Sequence, residues 1–95
     1  MPTGPIHPGE ILKEDIGDLG LTAKDLAAKL GVPTARIADI VRGRRDLTAD
    51  LALRLSRYFG TTPEYWINLQ SRYALECARR DIGRQIGKIR PRRAA

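Results

Sequence analysis

The chain has 95 residues, 42% of them hydrophobic, which is enough for one modest core and too few for two domains. No apolar run approaches the roughly 18 residues of a membrane span, and the first residues lack the apolar stretch of a signal peptide. One cysteine and one histidine exclude an internal disulfide and a multi-cysteine zinc site, so no metal or cofactor is expected, and the chain reads as a cytoplasmic protein with no membrane partner. The net charge of +6 is local: residues 79–95 hold seven basic residues and one acid, while residues 1–78 hold ten of each.

In chain order, Pro8 at a first helical position and Glu10 in the first turn predict a helix with Ile11, Leu12 and Ile16 on its apolar side, ended by Gly17 and Gly20. Thr22, with Asp25 three residues on, predicts a capped second helix reaching Leu30. Pro33 and Thr34 open a third that runs to about Arg42 and stops at Gly43. Thr48 caps a fourth, in which Leu51, Leu55, Tyr58 and Phe59 recur at helical spacing up to Gly60. Thr62-Pro63-Glu64 starts a fifth, expected to reach about Arg80, with Gly83, Gly87 and Pro91 leaving the remainder weakly structured. No segment alternates apolar and polar residues over strand length between turn signals. The expected fold is all-α, with five helices in residues 1–82 and a basic tail in residues 83–95.

Residues 23–42, AKDLAAKLGVPTARIADIVR, have the spacing of a DNA-binding helix-turn-helix. The small Ala27 lets two helices cross closely, and Gly31 can take the positive φ that ends a helix and turns the chain. Ile37 and Ile40, three apart, share a face that buries against Leu26 and Leu30. These spacings set a wide angle between the two helices, the arrangement that sends the second into the major groove.

The residues that would meet base edges are those at the start of the third helix and one turn on: Pro33, Thr34, Ala35, Arg36 and Asp39. Arg36 can pair bidentately with guanine, Asp39 can accept from cytosine N4, and Ala35 can pack on a thymine methyl. Against these stand plainer roles, with Thr34 a helix cap and Asp39 an ion-pair partner of Arg36 or Arg42. Four arginines face one acid between positions 36 and 45, where a phosphate backbone would pass. Arg42, Arg44 and Arg45 are therefore phosphate contacts, joined by the amide groups near Thr22 and Lys24 at the start of the second helix.

The fifth helix carries more apolar surface than one core needs. At 100° per residue, Tyr65, Trp66, Leu69, Tyr73 and Cys77 cover one face, and Ile67, Ala74, Leu75 and Ala78 another. A symmetric homodimer would bury the surplus, with Tyr65, Trp66, Leu69 and Tyr73 at its interface. The alternative is a tight monomer that buries both faces itself.

HPGEIL near the start, LGVPTARIADIVRGRR through the turn, LTADLALRLSRYFG and TPEYWINLQ together resemble the HigA-type antitoxins, a VapI-like branch of the Xre, lambda-repressor-like helix-turn-helix proteins. The resemblance spans about His7 to Cys77. It implies a lambda-repressor-like DNA-binding domain that represses its own operon as a dimer at a palindromic, double-stranded operator. It also implies a partner, a HigB-like toxin of the RelE type that cleaves messenger RNA and is silenced by direct binding. Ala23 and Ala38 stand where relatives often carry Gln and Asn, which leaves a phosphate contact and a base contact of the family without their usual side chains. The tail lies outside the matching region.

Catalysis has little support. His7, before Pro8, reads as a helix cap, Cys77 has no second histidine to activate it, and no phosphate-loop glycine pattern occurs. The competing reading is a plain transcriptional repressor without a toxin, and RNA binding by the Arg-rich tail is a minor third.

Overall fold

The computed structural model describes residues 4–92. They form five helices and, among the described residues, no strand: α1 (Pro8–Asp18), α2 (Ala23–Leu30), α3 (Thr34–Val41), α4 (Ala49–Phe59) and α5 (Pro63–Ile86). Arg93, the last basic residue of the expected tail, lies outside the described residues.

Side-chain caps set the starts of α1, α2, α4 and α5. His7 caps α1, its Nδ1 accepting from the Gly9 amide at 2.8 Å while Glu10 Oε2 accepts from the His7 amide at 2.9 Å. Thr22 and Asp25 close the same reciprocal box on α2, at 3.1 and 2.9 Å. The Thr48 and Thr62 hydroxyls accept from the Leu51 and Tyr65 amides in the first turns of α4 and α5.

The ends differ from expectation in two places. Gly17 lies inside α1, which ends at Asp18 with Leu19 as its cap, and Gly20, at φ +69°, turns the chain just beyond. Helix α5 continues past Arg80 and through Gly83 to Ile86. A single helical glycine costs only about 1 kcal/mol relative to alanine, too little to break a long helix.

The turn between α2 and α3 is held from within and from α4. Gly31 takes φ +72°, and the Val32 amide returns to the Ala27 carbonyl at 3.0 Å. Arg54 from α4 then donates to the Leu30 carbonyl at 2.8 Å, satisfying an acceptor that the helix end leaves open.

The core joins all five helices: Leu12 and Ile16 of α1, Leu26, Ala27 and Leu30 of α2, Ile37 and Ile40 of α3, Leu51, Ala52 and Leu55 of α4, and Trp66 of α5, with Leu47 from the connecting loop. Ile37 and Ile40 share one buried cluster with Leu26 and Leu30, and α3 packs on α2. Helix α3 packs on α2 and α1, and α5 packs on α4 and α1. From Ala78 onward every described residue is exposed, so the last two turns of α5 stand clear of the core and stretch the molecule to 50 × 25 × 22 Å. None of the described helices is long and apolar enough to cross a membrane.

Candidate nucleic-acid interface

Helix α3 buries Ile37 and Ile40 and leaves Thr34 and Ala35 in water. Its cap residue is Pro33, which forms no side-chain cap bond, so Thr34 is the first helical residue and not a cap. The amide-rich start of the helix is thus open beside two small exposed side chains, a surface that a base edge can approach closely.

Arg36 is placed differently from expectation. Its Nη2 donates to Thr48 Oγ1 at 2.9 Å and lies 3.4 Å from Asp50 Oδ1, with the side chain 23% exposed. Asp50 is itself held by Arg54 Nε at 2.9 Å. Arg36 therefore points at the start of α4, and its guanidinium would have to leave both partners to reach a guanine. Asp39 pairs with Arg45 across 3.8 Å, rather than with Arg36 or Arg42.

Arg42 ends α3, and the Gly43 and Arg44 amides fold back onto the Ile40 and Asp39 carbonyls at 2.9 and 2.8 Å. This left-handed turn at Gly43, φ +74°, throws Arg44 and Arg45 out beside the helix. Arg42 and Arg44 are exposed, with no ion-pair partner among the described residues.

At the start of α2 the Thr22 hydroxyl is occupied by the Asp25 amide, while Lys24 is exposed. The Thr22 backbone amide, with its hydroxyl adding to the effect, holds the Asp25 carboxyl below its ordinary value. Asp25 is therefore anionic beside this helix start. The remaining amides and Lys24 are what a phosphate would meet.

Sequence reasoning missed the residues that brace the arginine-bearing loop. The Leu47 amide donates to Gln70 Oε1 of α5 at 2.8 Å. The His7 ring lies edge-on to Tyr73, centroids 4.8 Å apart, and a side chain on Gly43 would sit 3.8 Å from it. A Cβ on Gly9 would lie 1.8 Å from the Ile40 carbonyl oxygen, so α1 approaches the last turn of α3 as only glycine allows. His7, Gly9 and Gln70 all fall within HPGEIL or TPEYWINLQ. Those segments marked their importance, but contacts across tens of residues leave no periodic trace.

The expected dimer face does not form one surface. Trp66 is 0% exposed, its indole N–H donating to Thr61 Oγ1 at 2.9 Å, and has no surface to offer a second copy. Tyr65 opens onto a groove with Leu19 and Phe59, whereas Leu69 and Tyr73 line a cleft with Gly4, Ile6 and Ile11. The Cys77 thiol beside the Tyr73 hydroxyl pushes the phenol above its ordinary value. The continuous exposed apolar strip lies farther along α5, at Leu75, Ala78, Ile82 and Ile86.

Two small helices crossing around a glycine turn, an open-started second helix and a rim of arginines define a helix-turn-helix DNA-binding protein, and the helix-turn-helix family profile matches residues 12–66. Virulence-associated protein I of Dichelobacter nodosus is 51% identical over 77 residues, covering 80% of this chain and 71% of that protein. The solved structure of an addiction module antidote protein of the HigA family from Coxiella burnetii superposes with a TM-score of 0.91 at 47% identity, covering 94% of this chain and 99% of the other. Pseudomonas aeruginosa antitoxin HigA, solved with the higBA promoter, gives 0.89 at 43% identity, covering 94% and 99%. The chain belongs to the HigA family, with its all-α, lambda-repressor-like fold.

Proposed function

We propose that this chain is the antitoxin of a type II toxin–antitoxin pair, which represses its own operon as a homodimer and silences a RelE-like, RNA-cleaving toxin by direct binding. One observation carries the DNA half: the uncapped, exposed start of α3 beside the unpaired Arg42 and Arg44. Thr34, Ala35 and Asp39 meet base edges, and Arg42, Arg44, Arg45 and the start of α2 at Thr22 and Lys24 hold phosphates. Arg36 is a positioning residue that fixes α3 against α4. The Pseudomonas relative solved with promoter DNA supports this reading.

Dimerisation uses the strip at Leu75, Ala78, Ile82 and Ile86, which no other described residue covers. The exposed Arg84, Lys88, Arg90 and Arg92 beyond it add phosphate affinity without sequence information.

The test pairs two assays of the full chain. Binding to DNA upstream of its own gene is compared with scrambled DNA across a salt series, and growth is followed when the protein of the neighbouring reading frame is induced with and without this chain. Specific binding plus rescued growth is the expected result. Specific binding without rescue makes the chain a plain repressor, and equal affinity for both DNAs overturns the base-reading assignment.

A further inference from the structure

Residues 1–78 carry ten basic and ten acidic residues, so this part of the chain is neutral, yet its charges are not evenly mixed. At the end of α1, Asp15 and Asp18 border an open groove of about 410 Å³ walled by Leu19, Phe59 and Tyr65. Between α2 and α4, Lys29, Arg54 and Arg57 border a second, of about 500 Å³, walled by Leu53 and Tyr58. Among the described residues, no base lines the first groove and no acid lines the second.

Arg54 is balanced by Asp50 at 2.9 Å. Asp15, Asp18, Lys29 and Arg57 form no ion pair among the described residues. Lys29 and Arg57 stand in the last turns of α2 and α4, where a cation suits the helix dipole. Asp15 and Asp18 stand at the same end of α1, where an anion does not. Burial pushes the Asp15 carboxyl up from its ordinary value, and the charges of Glu14 and Asp18 push it further. Both grooves also keep large apolar side chains in water: Leu19 is 56% and Tyr65 42% exposed in the acidic one, Leu53 59% and Tyr58 38% in the basic one.

The grooves are neighbours. Tyr58 lines the basic one and Phe59 the acidic one, and the two rings meet edge-on with centroids 5.0 Å apart. An acidic half beside a basic half is complementary to the same surface rotated by a half-turn. We propose that this double groove is a contact between two copies of the chain, in which Asp15 and Asp18 of each copy face Lys29 and Arg57 of the other. Leu19, Tyr65, Leu53 and Tyr58 are then covered, and the twofold relation makes every pairing twice. A second copy fits better than another partner because one surface supplies both the charges and their complements. The contact shares no residue with α3, the start of α2, the loop bearing Arg44 and Arg45, or the strip on α5. It therefore joins one dimer to the next, and dimers seated on adjacent DNA sites can touch while both stay bound.

The test is sedimentation of the full chain at sub-millimolar concentration in roughly 0.1 M and 1 M salt, between which the screening length falls from about 10 to about 3 Å. The expected result is a mass at the lower salt at least twice that at the higher, where the α5 strip alone sets the oligomer. Asp15→Lys with Asp18→Lys, and separately Lys29→Glu with Arg57→Glu, put like charges face to face and should weaken the association at least tenfold. All four changes in one chain exchange the halves and should restore it, a recovery that a damaged fold cannot give. Equimolar mixing of the two double variants, one all basic at the contact and the other all acidic, should restore it as well. Equal mass at both salts in the wild type overturns the proposal. Association that survives either reversal does the same, because the copies then meet elsewhere. If neither the fourfold variant nor the mixture recovers, the grooves serve a different partner and the proposal fails.

Discussion

Replacing Arg36 with alanine separates positioning from base reading. Its bond to the neutral Thr48 hydroxyl is worth about 1 kcal/mol. The 3.4 Å pair with Asp50, whose side chain is 55% exposed, adds less than about 1 kcal/mol after solvent screening. Asp50 keeps Arg54 when Arg36 is removed, so no charge is left stranded. The total is about 1–2 kcal/mol, which for a domain of this size lowers the melting temperature by roughly 4–15 °C. Calorimetry measures that shift directly. The companion assay compares operator DNA with single-base variants. If Arg36 only orients α3, affinity falls by a similar factor on all of them and the discrimination ratios stay constant. A variant that melts like wild type and loses discrimination at one G·C pair alone would refute the argument and restore Arg36 as a base reader.

Gly9→Ala drives a methyl into the Ile40 carbonyl and should cost about 3 kcal/mol, the upper end of overpacking, as seen by denaturant titration. A melting point within a degree or two of wild type would show that α1 can shift away freely. Leu75→Ser with Ile82→Ser should leave the core and melting of one chain intact while moving the protein to monomer in sedimentation, and should weaken a full palindrome far more than a half-site. An unchanged dimer would place the interface elsewhere. Because Asp25 has a lowered folded pKa, its capping contribution is full above the ordinary value of 3.8 and is lost as pH falls through the lower folded value. The stability gap between wild type and Asp25→Asn should therefore close at acid pH, and a gap that persists or widens there would contradict the sign.

Four of the helix starts were legible because each is written in adjacent residues, a threonine or histidine cap followed by a proline or an acid within three positions, and the start of α3 was marked by Pro33 alone. The helix-turn-helix was legible for the same reason, since Ala27, Gly31, Ile37 and Ile40 all lie within residues 27–40. What the sequence concealed was long-range. Nothing near Arg36 announces that Thr48 and Asp50 will stand beside it, and a helical wheel cannot say that α5 turns Trp66 into the core while Tyr65 stays in water. The end of α5 was misplaced because Gly83 and Gly87 look alike in sequence, yet the helix runs through the first and stops at the second. Gln70 and Gly9 show the remaining gap. Their roles depend on which backbone group lies opposite, and that is settled only once five helices have packed.

Trp66 is the one tryptophan in the chain, and its burial gives the molecule a built-in optical label. An indole sealed from water and bonded to Thr61 should emit at short wavelength when folded and shift to the red on unfolding, with no second tryptophan to blur the signal. Phe59 and Tyr65 lie against the same ring, at centroid distances of 5.9 and 5.1 Å, so its emission reports on the seam between α4 and α5.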